Sequence, residues 1–249
     1  MGRHILYRET TPSTNLLAEE AAKQDAPDGL LVLTDNQTAG RGRLNHKWFS
    51  PAGSNLTFSL LLRPSLPPGV IPQLSLLAAL SLVESLQHLP LCIKWPNDVW
   101  DKQGRKIAGI LSTMSCTGIT VDYAIVGIGI NVNLTQEELP SELQNTASSL
   151  RILTGLPLCK TQILRGFLKQ FEMDYECWQH HATLSPFLDR WKKNDYLCGK
   201  KLTVEQGNTI LDGYADGITP QGNLLLKQPD GSCLQATAGD AHIWRRTSF

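Results

Sequence analysis

Residues 72–89 constrain the fold of this 249-residue chain more than any other segment. Their side chains are apolar on almost every side of a helix, which predicts a helix buried all round, with Pro72 in its first turn. Such a helix needs packing partners on several sides and therefore a sizeable core. Hydrophobic residues make up 41% of the chain, enough for that core and too many for a disordered protein.

Short β-like segments surround this helix in the sequence. We predict strands over residues 30–33, 55–62, 91–95, 99–101, 106–114 and 119–134, and further helices over residues 16–23, 161–178 and 186–193. Several strands follow one another with only turn residues between them, which favours a mixed or antiparallel sheet over regular βαβ alternation. The predicted fold class is α+β, a sheet flanked by helices.

The pattern changes near residue 196. Short alternating segments at 201–205, 209–213, 223–227 and 232–236 are separated by Gly and Asp-Gly turns. They predict a small β-barrel of about 50 residues, which is too small to be very stable alone. We therefore predict a first domain over residues 1–195 and a second over residues 196–249 that leans on the first.

Composition excludes several classes of protein. Lys plus Arg and Asp plus Glu both number 23, so the surface is not cationic throughout. No apolar run approaches the roughly 18 residues that span a bilayer, and residues 1–9 do not resemble a signal peptide. The six cysteines form no CxxC pair. We expect reduced, mostly buried thiols, a cytoplasmic protein without membrane partners, and no metal bound by the chain itself.

A charge asymmetry lies inside this neutral chain. No acidic residue occurs between Asp35 and Glu84, whereas the same window holds Arg41, Arg43, Lys47 and Arg63. Glycines next to the arginines let a ligand approach the backbone, arginines donate bidentate hydrogen bonds, and Trp48 offers a flat face to a base. The loop over residues 40–48 is therefore a candidate site for a phosphate attached to a nucleobase. The alternative is a solvated basic loop.

Two further segments contain candidate site residues. Lys106 opens an apolar strand after the turn-forming residues 94–98, where an ammonium could face a developing negative charge or merely protect a sheet edge. In Gly127-Ile128-Gly129-Ile130-Asn131-Val132-Asn133, the third position of a dinucleotide fingerprint is Val132, so a Rossmann site is rejected. Glycines inside an apolar strand instead indicate the close approach of a ligand or of another backbone. Asn131 could reach a ligand or satisfy a turn.

These segments together, in this order, resemble the biotin protein ligase family. The matching pieces are Ser13-Thr14-Asn15, Gln37-Thr38-Ala39-Gly40-Arg41-Gly42-Arg43, Trp48-Phe49-Ser50, Lys94-Trp95-Pro96-Asn97-Asp98, Arg105-Lys106-Ile107-Ala108-Gly109-Ile110-Leu111 and the glycine segment 127–133. The β-rich tail resembles that family's small SH3-like C-terminal domain. The resemblance covers nearly the whole chain.

The resemblance implies a two-step ligase. The carboxylate of biotin attacks the α-phosphorus of ATP to give biotinyl-5′-AMP and pyrophosphate, and a lysine of a biotin carboxyl carrier protein then takes the biotin as an amide. ATP and biotin are the expected substrates, with Mg²⁺ accompanying the ATP. The acetyl-CoA carboxylase carrier subunit or a similar protein is the expected partner, and a homodimer through an exposed sheet edge is plausible.

The resemblance also assigns residues. It implies biotin contacts for Ser13, Thr14, Asn15, Gln37, Arg41, Gly42, Arg43 and Lys106. It implies ATP or adenylate contacts for Arg41, Arg43, Trp48, Lys106 and Asn131. Catalytic roles fall to Lys106, which bridges carboxylate and phosphate, to Arg43 in the closing loop, and to Asp98, which assists the incoming lysine.

Two departures from the family pattern matter. Leu44-Asn45-His46-Lys47 stands where the family usually continues its Gly/Arg run, which puts loop flexibility and one triphosphate contact in question. Only 12 residues precede Ser13, so we expect the short form of the family, without a DNA-binding domain and without sequence-specific DNA binding.

Two alternatives for the function stay open: a lipoate or octanoyl ligase, and a non-enzymatic nucleic-acid-binding module.

Overall fold

Two β-sheets and five α-helices form the part of the chain that a computed structural model describes, residues 1–43 and 46–244. Leu44 and Asn45 of the basic loop, and residues 245–249 of the predicted second domain, lie outside the described residues. The strands are β1 (Ile5–Thr11), β2 (Leu30–Gln37), β3 (Leu56–Leu62), β4 (Leu91–Lys94), β5 (Asp98–Asp101), β6 (Lys106–Thr117), β7 (Thr120–Ile130), β8 (Lys201–Gln206), β9 (Thr209–Ile218), β10 (Leu224–Lys227), β11 (Cys233–Ala236) and β12 (Asp240–Ile243). The helices are α1 (Thr14–Lys23), α2 (Gln73–Ser85), α3 (Leu150–Thr154), α4 (Lys160–His181) and α5 (Leu188–Asn194).

The first sheet has seven strands in the order β1-β2-β3-β7-β6-β5-β4. β1 pairs with β2 in parallel, and the remaining neighbours pair antiparallel. Short turns join β4 to β5 and β6 to β7, as expected for antiparallel hairpins. The predicted α+β class with a mixed sheet is confirmed.

The two faces of this sheet pack against different helices, because successive side chains of a strand point to opposite faces. Phe58, Leu60 and Leu62 of β3 belong to the large buried cluster that includes α2 and α4. Thr57 and Ser59 of the same strand point to the opposite face. Helix α1 packs on that opposite face in a second, smaller cluster. Helix α1 covers only part of this face, and a cleft lies on the part beyond the N-terminus of the helix.

The all-round apolar helix is α2, which is almost completely buried and packs against α4 and the sheet. It begins at Gln73, one residue after the predicted start, with Pro72 as its N-cap rather than in its first turn, and it ends at Ser85, four residues early. Among the residues described, the segment Pro68–Ser85 is long and apolar enough to cross a membrane by length and composition, and 61% of it is buried inside the protein. The expectation that no run approaches this length is therefore wrong; the run is apolar because it fills the core.

The second sheet is antiparallel, with the order β11-β10-β9-β8-β12. It agrees with the small β-rich C-terminal unit predicted from the sequence. Leu202 and Val204 of β8 belong to the same buried cluster as α2, so the two sheets share one apolar core. Gly222 reinforces this contact: a Cβ there would lie 2.5 Å from Leu76 Cδ1. The small sheet packs against the first part of the chain, as expected.

Three elements escaped the sequence analysis: β1, α3 and β12. The strand β1 lies at the sheet edge and is mostly exposed, so it carries no buried apolar pattern. Helix α3 has only five residues, too few for a periodic signal. The strand predicted over 119–134 ends at Ile130 in β7, after which the chain turns away from the sheet.

The cysteines are all free, but the expectation that most are buried is wrong. Cys92 is buried, Cys177 is half-buried, and Cys116, Cys159, Cys198 and Cys233 are exposed. Cys116 sits at the far end of the β6–β7 hairpin and Cys159 is the N-cap of α4, positions that face solvent in this topology. Burial of a cysteine follows from its place in the fold, which the spacing did not reveal.

Arg63 follows β3 and fastens the end of α1 to the sheet. Its guanidinium donates to the carbonyls of Ala22 at 3.0 Å, of Ala26 at 3.1 and 3.2 Å, and of Asp122 at 3.0 Å. A cation at a helix C-terminus also interacts favourably with the helix dipole. This arginine shares the acid-free window with the basic loop, but its contacts are structural.

We expect the substitution Arg63→Ala to lower the free energy of unfolding by about 2–4 kcal/mol, because it leaves several carbonyls without a charged donor. Urea unfolding followed by circular dichroism measures the change. Arg165→Ala, on an exposed position of α4, is the matched control and should change stability by less than about 0.5 kcal/mol. Equal stability of the two variants would contradict the proposed clamp.

Asp195 joins the end of α5 to β4, where it forms a parallel bridge with Ile93. Burial raises the pKa of its carboxyl group from 3.8 to about 6, although the hydrogen bond from Leu197 N acts in the opposite direction. The charged form is therefore disfavoured in the folded state. The resulting loss of folding free energy is absent below pH 3.8, where the carboxyl group is protonated in both the folded and the unfolded state. It reaches its full size above about pH 6.

We expect Asp195→Asn to stabilise the protein increasingly as the pH rises from about 4 to about 6, and by a nearly constant amount of up to about 3 kcal/mol at higher pH. The amide keeps an acceptor for Leu197 N but carries no charge. Urea unfolding at several pH values measures the difference from the unsubstituted protein. Asp216→Asn, at an exposed position of β9, is the control; a pH-independent difference for Asp195→Asn would contradict the buried-charge explanation.

Candidate active site

A cleft lies on the α1 face of the first sheet, beyond the N-terminus of that helix. Its floor is formed by β3, β6 and β7, whose positions Thr57, Gly109 and Gly127 alternate with core residues such as Phe58 and Ile128. The remaining walls come from the start of α1, the basic loop, the β4–β5 turn and the second sheet. The lining residues are Ser13, Thr14, Asn15, Gln37, Arg41, Gly42, Arg43, His46, Lys47, Trp48, Thr57, Asn97, Asp98, Lys106, Gly109, Ile110, Leu111, Gly127, Ile128, Gly129 and Asp240.

One end of the cleft holds a network of uncharged polar side chains. Gln37 Oε1 accepts hydrogen bonds from Thr14 N at 2.8 Å and Thr14 Oγ1 at 3.2 Å. The Ser59 hydroxyl donates to Asn15 Oδ1 at 2.6 Å and lies 2.7 Å from Thr14 Oγ1. Ser13 is the N-cap of α1, yet its side chain makes no capping hydrogen bond. This end offers directed hydrogen bonds to a neutral ligand with polar groups.

Two glycines of β7 make room for the side chains above them. A Cβ on Gly127 would lie 2.0 Å from Asn15 Oδ1, and a Cβ on Gly129 would lie 2.4 Å from Trp48 Cε2. Gly109 of β6 likewise lies under the indole, with 3.3 Å from its ideal Cβ to Trp48 Cζ3. The glycines do lie at a close approach, but the groups nearest to Gly127 and Gly129 are the side chains of Asn15 and Trp48 rather than the ligand or second backbone that the sequence predicted.

The basic loop folds back on itself as a short hairpin over the cleft. Arg41 forms an antiparallel bridge with Lys47, Gly42 N donates to His46 O at 2.7 Å, and Trp48 N donates to Gly40 O at 3.0 Å. These bonds place the loop's cationic side chains and the Trp48 ring along the same cleft. The departure at Leu44 and Asn45 lies outside the described residues, whereas His46 lines the cleft.

Lys106 and Asp98 form an ion pair inside the cleft. The antiparallel pairing of β5 and β6 brings them together, and Lys106 Nζ lies 2.7 Å from Asp98 Oδ1. The ammonium also lies 5.8 Å from the centroid of the Trp48 ring, within range of a cation–π contact. Both charged groups are partly shielded, with side-chain exposures of 33% for Lys106 and 16% for Asp98. The strand-borne ammonium and the stacking platform thus share one site.

Arg43 reaches out of its loop to three acceptors. Its Nη1 donates to Asn97 Oδ1 at 3.2 Å and to Asp240 Oδ1 at 3.1 Å, and its Nη2 donates to Gly239 O at 3.2 Å. Asn97 is held in turn by its own donation to Ile110 O at 2.7 Å. The guanidinium therefore links the loop to both the β4–β5 turn and the second sheet.

Lys94 contributes charge from just outside the cleft. Its ammonium lies over the Trp100 ring at 5.0 Å from the centroid. Burial lowers the pKa of Lys94, while the carboxylates of Asp98 and Asp240 act against that shift. With Arg41, Arg43, Lys47 and Lys106 lining the cleft against the carboxylates of Asp98 and Asp240, the site carries excess positive charge and suits an anionic ligand.

The structure brings the predicted site residues together with one exception. Asn131 does not line the cleft; it is buried, donates to Ser148 O at 3.0 Å and accepts from Asn55 Nδ2 at 3.3 Å. Sequence reasoning missed Thr57, Asn97 and Asp240 as lining residues. Asn97 lies in a turn that the sequence did predict. No sequence pattern indicated Asp240, because it lies 197 residues from its partner Arg43.

Comparison with known proteins agrees with this geometry. The sequence pattern of the Biotin/lipoate A/B protein ligase family matches residues 6–131. The bifunctional ligase/repressor BirA of Bacillus subtilis (strain 168) is 36% identical over 234 residues, which cover 93% of this chain and 71% of that protein. The biotin–[acetyl-CoA-carboxylase] ligase of Paracoccus denitrificans is 32% identical over 80% of this chain and 85% of its own length.

A solved structure extends the likeness to both sheets. The biotin protein ligase from Aquifex aeolicus, in complex with biotin and ATP, superposes with a TM-score of 0.82 at 28% sequence identity, covering 98% of this chain and 99% of that one. The pattern match spans half of the chain, and the sequence relatives cover most of it. The chain belongs to the biotin/lipoate A/B protein ligase family.

Proposed function

We propose that this protein is an ATP-dependent biotin protein ligase. It joins biotin and ATP to biotinyl-5′-AMP and then transfers biotin to a lysine of a biotin carboxyl carrier domain, the kind found in acetyl-CoA carboxylase. The supporting observation is the single cleft in which a neutral polar end, a cationic loop, a tryptophan and a strand-borne lysine meet. The relatives named for the same activity support the choice of biotin.

Adenylation brings two anions together. A carboxylate oxygen attacks the α-phosphorus, a new P–O bond forms, and the bond to the β-phosphate oxygen breaks as pyrophosphate leaves. Cationic donors around both reactants are the first requirement, and one well-placed donor is commonly worth about 3–4 kcal/mol in rate. Lys106 contacts the reacting carboxylate and phosphate in this proposal, and Arg43 and Arg41 approach from the loop. Trp48 stacks on the adenine.

The neutral end of the cleft suits the ring system of biotin. Ser13, Thr14, Asn15 and Gln37 provide directed hydrogen bonds, and the apolar strand residues provide a slot. The Gly42 backbone and the loop cover the ligand and shield the mixed anhydride from water. Asn131 remains a proposed nucleotide contact that would act from beneath the cleft, next to Asn55.

The second step transfers biotin to an amine. The carrier lysine's nitrogen attacks the carbonyl carbon of biotinyl-5′-AMP, the bond to the phosphate oxygen breaks, and AMP leaves while the amine loses a proton. Asp98 is placed beside the reacting centre through its ion pair with Lys106. Its carboxylate attracts the incoming ammonium and assists loss of the proton in this proposal.

Mg²⁺ is proposed to enter with the triphosphate. The carboxylates lining the cleft, Asp98 and Asp240, are each paired with a cation, and among the described residues no cluster of three metal-binding side chains occurs. Such a site suits an ion held mostly by phosphate oxygens and water.

Four further properties stay proposals: the division into residues 1–195 and 196–249, the cytoplasmic location, the homodimer and the lack of sequence-specific DNA binding.

The first experiment identifies the acyl substrate. The protein is incubated with ATP and Mg²⁺ together with biotin, lipoate or octanoate, and the acyl-adenylate is detected by mass spectrometry. Biotinyl-5′-AMP alone supports the proposal, whereas lipoyl- or octanoyl-adenylate favours the lipoate branch of the family. A nucleic-acid-binding module would make none of these and would lose its ligand steeply with added salt.

We expect Lys106→Ala to lower the rate of biotinyl-5′-AMP formation by at least about a hundredfold, because it removes the ammonium that faces both anions. Single-turnover kinetics with biotin and labelled ATP measures this rate. Lys227→Ala, on an exposed position of β10, is the control and should behave like the unsubstituted protein. Full adenylation by Lys106→Ala, with its fold intact by circular dichroism, would remove the proposed role.

The two β7 glycines allow the two substrates to be tested separately. Gly127→Ala places a methyl group on Asn15, so we expect biotin affinity to fall by about tenfold or more with nucleotide affinity less affected. Gly129→Ala displaces Trp48, so the reverse is expected. Isothermal titration calorimetry with each substrate measures both constants.

Gly69→Ala is the matched control, because a Cβ at Gly69 meets nothing within 4 Å. It should bind both substrates as the unsubstituted protein does. Equal losses for biotin and nucleotide in both β7 variants would contradict the assignment of the two ends of the cleft.

A further inference from the structure

A bulge interrupts the pairing of β5 with β6 next to Lys106. The paired positions are Asp98 with Gly109, Val99 with Ala108, and Trp100 with Lys106. One residue of β6, Ile107, is therefore left without a partner on β5. An extra residue of this kind interrupts the regular alternation of side chains along its strand and is able to re-aim a neighbouring side chain.

The bulge decides which face of the sheet Lys106 occupies. Beyond it, Gly109 faces the cleft and Ala108 belongs to the buried core. Strict alternation from these two residues would place Ile107 in the cleft and Lys106 in the core. Instead, Ile107 is fully buried in the core and Lys106 lines the cleft. The bulge thus brings the ammonium of Lys106 to Asp98.

A buried carboxylate, that of Asp101, holds the turn between β5 and β6. Its Oδ1 accepts hydrogen bonds from Gln103 N and Arg105 N, both at 2.9 Å, and its Oδ2 accepts from Arg105 Nε at 2.8 Å. Asp101 N also donates to Arg105 O at 2.8 Å, so these two residues close the hairpin. The side chain of Asp101 is only 1% exposed, and a charge buried to that degree is costly unless it is paired and hydrogen-bonded. The contacts with Arg105 supply this pairing.

The turn of a hairpin sets the register of its strands. Because Asp101 is bound to Arg105, the pair that follows in the hairpin contains Lys106. The bulge at Ile107 absorbs the mismatch between this pair and the rest of the ladder. If the turn were one residue longer, Asp101 would lie opposite Lys106 and the bulge would disappear. Lys106 would then point to the same face as Asp101, away from the cleft.

We propose that Asp101 is a positioning residue, which keeps Lys106 in the cleft by fixing the β5–β6 turn through Arg105. Asp101 is not among the residues that line the cleft, so it acts through its neighbours. The placement of Lys106 is a property of the ligand-free protein. Its consequence for catalysis rests on the proposed function.

The first test measures the placement of Lys106 without substrates. A carbodiimide joins a lysine and a carboxylate as an amide when the two groups are in contact, so it should join Lys106 to Asp98, which lie 2.7 Å apart. The exposed pair of Lys23 and Glu19, also 2.7 Å apart, is the reference in the same sample. We expect Asp101→Asn to lower the yield of the Lys106–Asp98 amide, relative to the reference, by about fivefold. Mass spectrometry of the digested protein measures both yields.

Asp174→Asn is the matched control. Asp174 is likewise a buried aspartate, 3% exposed, and it pairs with Arg190 at 2.8 Å, but it belongs to α4 and does not line the cleft. This variant weakens a buried ion pair in the same way. It should leave the yield of the Lys106–Asp98 amide unchanged, because nothing links it to the β5–β6 turn.

Two variants of Arg105 make the test independent of whether Asp101→Asn folds. Arg105→Met keeps the length of the side chain but removes the donor to Asp101 Oδ2, so it should lower the amide yield in the same direction. Arg105→Lys keeps a charged donor and should retain most of the yield. The Arg105 side chain is 22% exposed, so both substitutions are milder than one at the buried carboxylate.

The second test uses the charge of the biotin carboxylate, which Lys106 faces in the proposed function. We expect Asp101→Asn to lower the affinity for biotin about fivefold. The affinity for biotinol, in which an alcohol replaces the carboxylate, should stay unchanged, whereas general damage to the cleft would lower both. Isothermal titration calorimetry measures both constants.

Single-turnover kinetics completes the second test. The rate of biotinyl-5′-AMP formation should fall about tenfold in Asp101→Asn. In a Lys106→Ala background the same substitution should add nothing, because a residue that acts through Lys106 has no effect once Lys106 is gone.

The outcomes separate the two proposals. An unchanged amide yield in both Asp101→Asn and Arg105→Met overturns the positioning role, whatever the protein binds, and so does an equal loss in Asp174→Asn. No Lys106–Asp98 amide in the unsubstituted protein, with the reference pair joined, overturns the placement of the ammonium that the proposal requires. Loss of the amide in Asp101→Asn of a protein that forms no biotinyl-5′-AMP supports the positioning role and overturns the proposed function. Equal losses of affinity for biotin and biotinol overturn the claim that Asp101 acts through Lys106.

Discussion

The alternation of side chains across the first sheet is the constraint on which the site depends. Even-numbered positions of β3 and β7, such as Phe58 and Ile128, belong to the buried cluster that includes α2, and the odd-numbered Thr57, Gly127 and Gly129 face the cleft. Large side chains on the second set would fill the space that a ligand needs. Gly127 and Gly129 leave that space to Asn15 and Trp48, so core and cleft are built from the same two strands. A one-residue shift in strand register would exchange the two faces and destroy both.

Two of the cations that line this cleft are held in ion pairs. Lys106 lies against Asp98 and Arg43 against Asp240, so two of the four lining cations have a nearby anion before any ligand arrives. Such pairs hold long side chains in defined positions, which lowers the ordering cost when a ligand binds. Because both pairs are partly exposed to solvent, each contributes little to stability. Their value lies in preorganisation of the donors.

The sequence predicted the residues of the site better than it predicted how they are held. The buried helix and the mixed sheet follow from local sequence patterns, and the structure confirms them. The glycines of β7 correctly predicted a close approach but not that side chains of the cleft make it. The contacts of Arg63 and Asp240 depend on partners distant in the chain, for which no local pattern exists. Arg63 looked like part of the basic loop's charge and instead binds the end of α1. The sequence left open whether Asn131 reaches a ligand or satisfies a turn, because the answer depends on its contacts with Ser148 and Asn55, which are distant in the chain.

The docking of the small second sheet affects both the stability of the protein and the geometry of the cleft. Its apolar side chains join the core around α2, and its Gly222 carbonyl accepts from Trp95 in the turn that also carries Asn97 and Asp98. A sheet of this size gains much of its stability from such a neighbour. The same contacts set where Asp240 stands relative to Arg43, so a substitution that loosens the docking of the second sheet changes the geometry of the cleft as well as the free energy of unfolding. Stability and loop position are therefore coupled through one interface, and neither is independent of how the C-terminal strands pack.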